Sequence, residues 1–366
     1  MFIFQNKFML KKKFFKSFIL IIILLVYIII TASGQNDKNY KLLTEKYIER
    51  PLAMHKGQLQ IISGYEFSII NRKYDQNGDK IDLTIDGSVS ARHLIPFELK
   101  YGLLEFIQFS AQTKYASTGI RTQNHNTIST EGVLYVSELK KYTGMYDIFL
   151  GLDITPPLNL KFLNCIVSAG VYLPAFSQKP DKPDHSYTLI ESDPGSAILK
   201  YKYYYKNSTG IPLASFGSAI KFKITRFSFT GMFNYSLALK DGDSFDWNFR
   251  LVNNEFEYEK ETYQYNTGHI ININGEAAWQ AIDWFAIRSS FMYHFQSGGW
   301  SNLTGKKVGY PEISLASLIF GYEILVSPLL RIEQQIIFPV AGKNINGQWA
   351  FLSGINFNMF TSGKNK

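Results

Sequence analysis

Cysteine is almost absent from this sequence: Cys165 is the only one in 366 residues. That excludes an internal disulfide framework and any cysteine-built metal cluster. Set among Leu163, Val167 and Val171, Cys165 reads as a small hydrophobe. Charged residues are scarce too, at 19%. The six histidines (His55, His93, His125, His185, His269 and His294) contain no His-x-x-x-His pair, so neither a metal nor a cofactor is expected. Nucleophile-elbow, phosphate-loop and dinucleotide motifs are missing, and no enzyme is expected. Beyond residue 34 no run approaches the roughly 20 apolar residues that a membrane-spanning helix needs.

Aromatic residues are abundant instead. Phe (29) and Tyr (23) dominate an aromatic share of 16%, while the mean hydropathy is only −0.08. Side chains of this kind suit pleated surfaces with one buried face, so many half-buried strands are expected rather than a helical bundle. The single long apolar run, Phe18 to Ile30, follows Lys11, Lys12, Lys13 and Lys16 and ends in Thr31, Ala32, Ser33 and Gly34. A basic start, a short apolar stretch and a small-x-small end describe a secretory signal peptide, residues 1–34, cleaved before Gln35. A retained membrane anchor is the alternative. Without these four lysines and Lys7, Lys+Arg falls from 38 to 33 against 30 acidic residues, and the net charge falls from +8 to +3. The basic balance is mostly the leader's, so no nucleic-acid partner is expected.

From residue 58 onward, apolar and polar residues alternate. In 226–240, Phe227, Phe229, Phe233, Tyr235, Leu237 and Leu239 share one face, while Arg226, Ser228, Thr230, Asn234, Ser236 and Lys240 share the other. A strand's successive side chains point to opposite sides, so each such segment has an apolar and a polar surface. The pattern predicts twelve strands, near 58–71, 88–101, 105–118, 143–154, 163–174, 212–223, 226–240, 262–281, 284–297, 312–326, 329–340 and 348–360. Short turns near 102–104, 156–161, 224–226, 281–283 and 327–328 alternate with long polar stretches at 72–87, 120–142, 175–212, 241–262, 298–311 and 341–348. Short turns on one side and long loops on the other characterise transmembrane barrels. The expected fold is an all-β, up-and-down antiparallel barrel over 58–360, in the outer membrane of a Gram-negative bacterium. An N-terminal segment (35–57) precedes it and a tail (361–366) follows. Lipid cannot satisfy an open sheet edge, so the first strand must pair with the last.

The polar face then becomes the lumen, with Glu66, Arg92, Glu98, Lys100, Lys114, Asp147, Asp153, Lys221, Lys223, Arg226, Glu276, Arg288, His294, Glu323, Arg331 and Glu333 as lining candidates. These charges either line a solvated pore or brace a narrow interior as ion pairs. Tyr201, Tyr203, Tyr204 and Tyr205 fall in a long external stretch and are candidates for capturing a solute. The Asp75 to Asp79 segment resembles a calcium loop, and Asp86 stands at the twelfth position. Lys80 replaces the required glycine, however, and an Asn77-Gly78 hairpin tip explains the segment better. Asp184, His185 and Ser186 are adjacent in a proline-rich stretch, a spacing that does not make a catalytic triad.

Several segments resemble a known group. They are Glu49-Arg50-Pro51, Lys100 to Gln108 across the first short turn, Gly144 to Ile148, and Gly170 to Pro174. They are similar to outer-membrane transporters of the phenol-degradation meta-pathway type, a family of channel-like barrels. The resemblance implies passage of small hydrophobic or aromatic molecules and no catalytic residues. The implied partners are outer-membrane lipid, a small-molecule solute and, during biogenesis, the barrel-assembly machinery; the oligomeric state stays open. Tyr40, Leu42, Leu43, Tyr47 and Ile48 make the N-terminal segment amphipathic enough to enter the lumen as a plug. A lipid-modifying enzyme and a sealed structural or adhesive barrel are the competing readings.

Overall fold

The structure, a computed structural model, describes residues 41–83, 90–129, 132–156, 162–175, 184–189, 196–252, 255–302 and 305–361. The expected signal peptide, Tyr40, Asp86 and the tail from residue 362 lie outside them. The first strands are β1 (Gln58–Tyr74), β2 (Lys80–Asp82), β3 (Ser90–Leu104), β4 (Ile107–Ser129), β5 (Gly132–Met145) and β6 (Ile148–Ile154). There follow β7 (Leu163–Leu173), β8 (Asp184–Leu189), β9 (Ser196–Lys206), β10 (Leu213–Ile224), β11 (Phe227–Ala238), β12 (Gly242–Val252) and β13 (Glu255–Asn266). The last are β14 (His269–Ile282), β15 (Phe285–Ser297), β16 (Trp300–Ser301), β17 (Val308–Gly309), β18 (Ile313–Ser327), β19 (Leu330–Lys343) and β20 (Ile345–Phe360).

The antiparallel ladder closes on itself. It runs from β1 through β3, β4, β6, β7, β10, β11, β14, β15, β18 and β19 to β20. β20 pairs back onto β1 from Gln58↔Phe360 to Tyr74↔Ile345. Closure leaves the wall without an unpaired edge.

Alternation then sorts the side chains. On β11 the inward Ser228 is 1% exposed, while its neighbour Phe229 is 47% exposed on the outside. Phe97, Leu152, Val167, Phe216, Ile273 and Phe320 continue the outer apolar surface around the circuit. Cys165 pairs with the exposed Ile220 and therefore shares that outer face. An apolar exterior this extensive needs hydrocarbon rather than water around it.

The described strands number twenty rather than the twelve expected: twelve make the circuit traced above, the sheet containing it has sixteen, and a second sheet has four. The additions lie in stretches read from sequence as loops. β4 runs on past the wall and pairs with β5, which pairs in parallel with β9, and β9 with β8. β12, β13, β16 and β17 form the separate sheet. Alternation persists in β12, with Phe245, Trp247, Phe249 and Leu251 against Ser244, Asp246, Asn248 and Arg250, but the charged and polar character of these stretches reads as loop. Two expected strands are also divided: 143–154 falls on the end of β5 and β6, and 262–281 on β13 and β14. Pro96 has no N–H to donate, and beside it the β1–β3 ladder skips from Ser63↔Phe97 to Glu66↔Leu94. At the Asn77-Gly78 tip, Gly78 takes φ +88°, and the Asp75 carboxylate accepts from the amides of Asn77 (2.8 Å) and Asp79 (2.9 Å). That carboxylate serves the turn.

Candidate functional site: the barrel interior

Residues 41–57 run among the inward-facing side chains of the strands rather than outside them. Leu43, Ile48 and Ala53 are buried there. This strap is held by side chains, not by a ladder. The Lys221 ammonium donates to the Tyr47 and Arg50 carbonyls at 2.8 and 3.0 Å. Arg331, 1% exposed, donates to the Leu43 carbonyl at 2.8 Å. Asn164 and Gln108 accept from the Leu52 and Met54 amides at 2.9 and 2.7 Å. Backbone groups buried away from water need such partners, and here the wall supplies them.

Tyr47 is the centre of the arrangement. Its hydroxyl donates to Glu276 Oε1 at 2.5 Å and accepts from Arg288 at 3.3 Å. Arg50, Arg288 and Lys221 stand 4.7, 5.1 and 5.2 Å from its ring centroid, within cation–π range. Burial pushes the Tyr47 phenol well above its ordinary range, so the hydroxyl stays neutral and keeps its proton to donate. Arg288 also pairs with Glu333 at 2.8 Å, and Arg50 pairs with Glu323. At the tight-turn end, Lys223 meets Glu49 at 2.7 Å and Lys46 meets Asp283 at 2.8 Å. A cavity of about 360 Å³ lies around the strap, bordered by Tyr47, Arg50, Lys221, Arg288, Arg331 and Glu333.

A larger chamber, about 620 Å³, lies toward the end with the long connections, and Ile62 and Glu333 border both spaces. Its lining joins apolar Phe149, Leu213, Ile270 and Leu352 with polar Glu66, Glu98, Gln112, Lys114, Asp147 and Asn272. Lys114 pairs with Glu66 at 2.8 Å, and Glu98 with Lys100 at 2.9 Å. Arg92 donates to the Tyr146 hydroxyl at 3.0 Å. His294 meets Asn272 at 2.8 Å, and Asp153 accepts from Gln108 at 2.5 Å. Asp147 sits between β5 and β6. There it accepts from the Ser208 hydroxyl at 2.5 Å, the Thr209 amide at 3.0 Å and the Thr209 hydroxyl. It thus pins residues 208–209 over the chamber.

Most of the sequence-derived candidates therefore meet inside the barrel, and most already have partners. Arg226 stands apart. It lies exposed in the turn between β10 and β11 and donates to the Ala281 carbonyl at 3.4 Å. Alternation extended one residue too far placed it on the inner face. Tyr201, Tyr203, Tyr204 and Tyr205 lie on β9, and their side chains are outside the described residues. Of the adjacent Asp184, His185 and Ser186, the backbone forms part of β8. Phe149 and Tyr172 were missed as chamber residues, although Phe149-x-Gly151 and Gly170-x-Tyr172 mirror one another in the sequence.

A closed ladder, an apolar exterior and a polar, partly filled interior define a membrane-spanning β-barrel. Among solved structures, the chain is similar to an outer membrane channel from Pseudomonas putida F1. The TM-score is 0.54 and the identity 10%, over 84% of this chain and 96% of that one. At this identity the likeness is one of fold. Toluene transporters of Pseudomonas putida (TM-score 0.42, 10% identity, 87% and 97% covered) and Ralstonia pickettii (0.43, 9%, 84% and 90%) are more remote in fold. No family model matches the sequence, and no curated protein matches it either.

Proposed function

We propose that the chain is a passive outer-membrane channel for small hydrophobic solutes, aromatic ones included, and not an enzyme. One observation carries the reading: the interior holds a chamber of about 620 Å³ whose open surface is mostly apolar, with Phe149, Tyr172, Leu213, Ile270 and Leu352 set among many polar and charged side chains. Ligand sites are built this way, and a cavity of about 150 Å³ already accepts benzene. The inward charges Glu66, Arg92, Glu98, Lys114, Asp147 and Glu333 line or brace the route, and the β9 tyrosines meet the solute first. The strap acts as a plug that narrows the tight-turn end. Residues 1–34 are a cleaved signal peptide, and the strands of the closed circuit are the ones that cross the membrane. Outer-membrane lipid and the barrel-assembly machinery are the partners of such a wall. The sequence segments that resemble phenol-pathway transporters, and the fold shared with an outer membrane channel, support this reading.

The test is uptake by intact cells. Cells expressing the barrel should accumulate a labelled monoaromatic solute faster than cells carrying the empty vector. Equal rates at equal surface expression would overturn the proposal. A sealed barrel is the second reading, favoured by the number of wall side chains that grip the strap. Its signature is an absence of ion conductance in planar bilayers both with and without the strap.

A further inference from the structure

We infer that Phe149 is the residue by which the chamber selects flat aromatic rings over saturated ones, and that Gly151 positions it for this. The inference rests on the channel reading above. Phe149 and Tyr172 are direct cross-strand partners on β6 and β7, and both border the chamber. Their ring centroids lie 4.9 Å apart with planes tilted by 48°. The next inward-facing rung is Gly151 opposite Gly170. The Phe149 ring leans over both glycines. A Cβ added at Gly151 would stand 2.6 Å from Phe149 Cζ, and one added at Gly170 would stand 2.7 Å from the same ring.

Two consecutive inward rungs thus carry two rings and then no side chain at all. The missing side chains form the recess in which the Phe149 ring lies, and they fix its tilt. Glycine in a strand interior weakens it and commonly marks a close approach. Here the approach is the ring's own. The result is a ring held at a set angle beside a second ring on the edge of a chamber large enough for another. Aromatic pairs prefer offset or edge-to-face contact, and a saturated ring of the same size lacks the quadrupole that favours it. The Lys114–Glu66 pair borders the same chamber and gives a polar substituent on the guest somewhere to point.

The experiment compares two matched solutes, benzoate and cyclohexanecarboxylate, entering proteoliposomes at pH 8, where both are ionised and cross bare lipid slowly. The full-length barrel should take up benzoate roughly two- to tenfold faster, the range that one aromatic contact supplies. Phe149→Leu keeps an apolar side chain in place and should bring the ratio near one while cyclohexanecarboxylate still enters. Gly151→Ala should do the same by displacing the ring. It is preferred to Gly170→Ala because a Cβ at Gly170 would also stand 2.5 Å from the Leu150 carbonyl. Heat-modifiable migration on gels confirms that each variant has folded. A wild-type ratio retained by Phe149→Leu overturns the inference, as does a wild-type barrel that passes both solutes equally; in either case the channel reading survives. A wild-type barrel that passes neither solute overturns the inference, while the channel reading is decided separately by the uptake of the monoaromatic solute in cells described above.

Discussion

Tyr47 joins the strap to the wall through a single hydroxyl. That hydroxyl is the close partner of Glu276, whose other neighbour, Arg288, is 3.9 Å away. Tyr47→Phe keeps the ring among its three cations and removes only the hydroxyl's bonds to Glu276 and from Arg288. Hydrogen bonds to charged groups contribute about 1.5–3 kcal/mol, so the substitution should destabilise the barrel by about 2 kcal/mol, read as a lowered urea midpoint in lipid vesicles. In a Glu276→Gln background the loss should shrink, because the charge that made the bond strong is gone. Equal losses in both backgrounds would show that the hydroxyl's contribution does not come from the charge of Glu276. Arg331 is a harsher case. Its guanidinium is buried against the Leu43 carbonyl, with Glu323 3.9 Å from its Nε. Arg331→Ala leaves a buried carboxylate short of one cation and should cost about 3–5 kcal/mol in the same assay.

At the scale of elements, the strap is attached by side chains, and most of those attachments gather between Leu43 and Met54. Deleting residues 41–50 removes Tyr47, Arg50 and the Leu43 carbonyl together while leaving every wall strand intact. Single-channel conductance in planar bilayers should rise at least severalfold, since the strap lies inside the barrel and is gripped by the wall; unchanged conductance would falsify the plug. The strands themselves were largely legible. Phe227, Phe229 and Phe233 against Ser228, Thr230 and Ser236 announce β11 because one face meets lipid and the other the interior. The upper part of β4, β5, β9 and the β12–β13 hairpin were not legible. Their segments are rich in charged and polar residues and read as loop, and that polarity hid even the two-residue period of β12, Phe245, Trp247, Phe249 and Leu251 against Ser244, Asp246, Asn248 and Arg250.

For the molecule as a whole, the outer surface sets the environment. Phe233 is 43% exposed on the outside of β11, opposite Ile273. Phe233→Arg should cost about 2–4 kcal/mol if it sits near the bilayer centre, whereas Asn234→Arg on the inner face should cost far less. Equal costs in folding assays with lipid vesicles would contradict the assignment of faces. By itself, the sequence determined that the chain is strands with one apolar and one polar side, because burial against hydrocarbon writes a period of two into every wall segment. Parity along a strand also puts Glu276, Arg288, Glu323, Arg331 and Glu333 on the polar side of their segments. Only the tertiary structure decided which of those charges meet. Arg288 finds Glu333 from a strand 45 positions away, and Tyr47 finds Glu276 across 229 positions, pairings that closure of the ladder creates and no local spacing encodes. The strap's place inside the barrel and the recess of Gly151 and Gly170 under Phe149 likewise follow from strand register, which is set by the whole circuit rather than by any one segment.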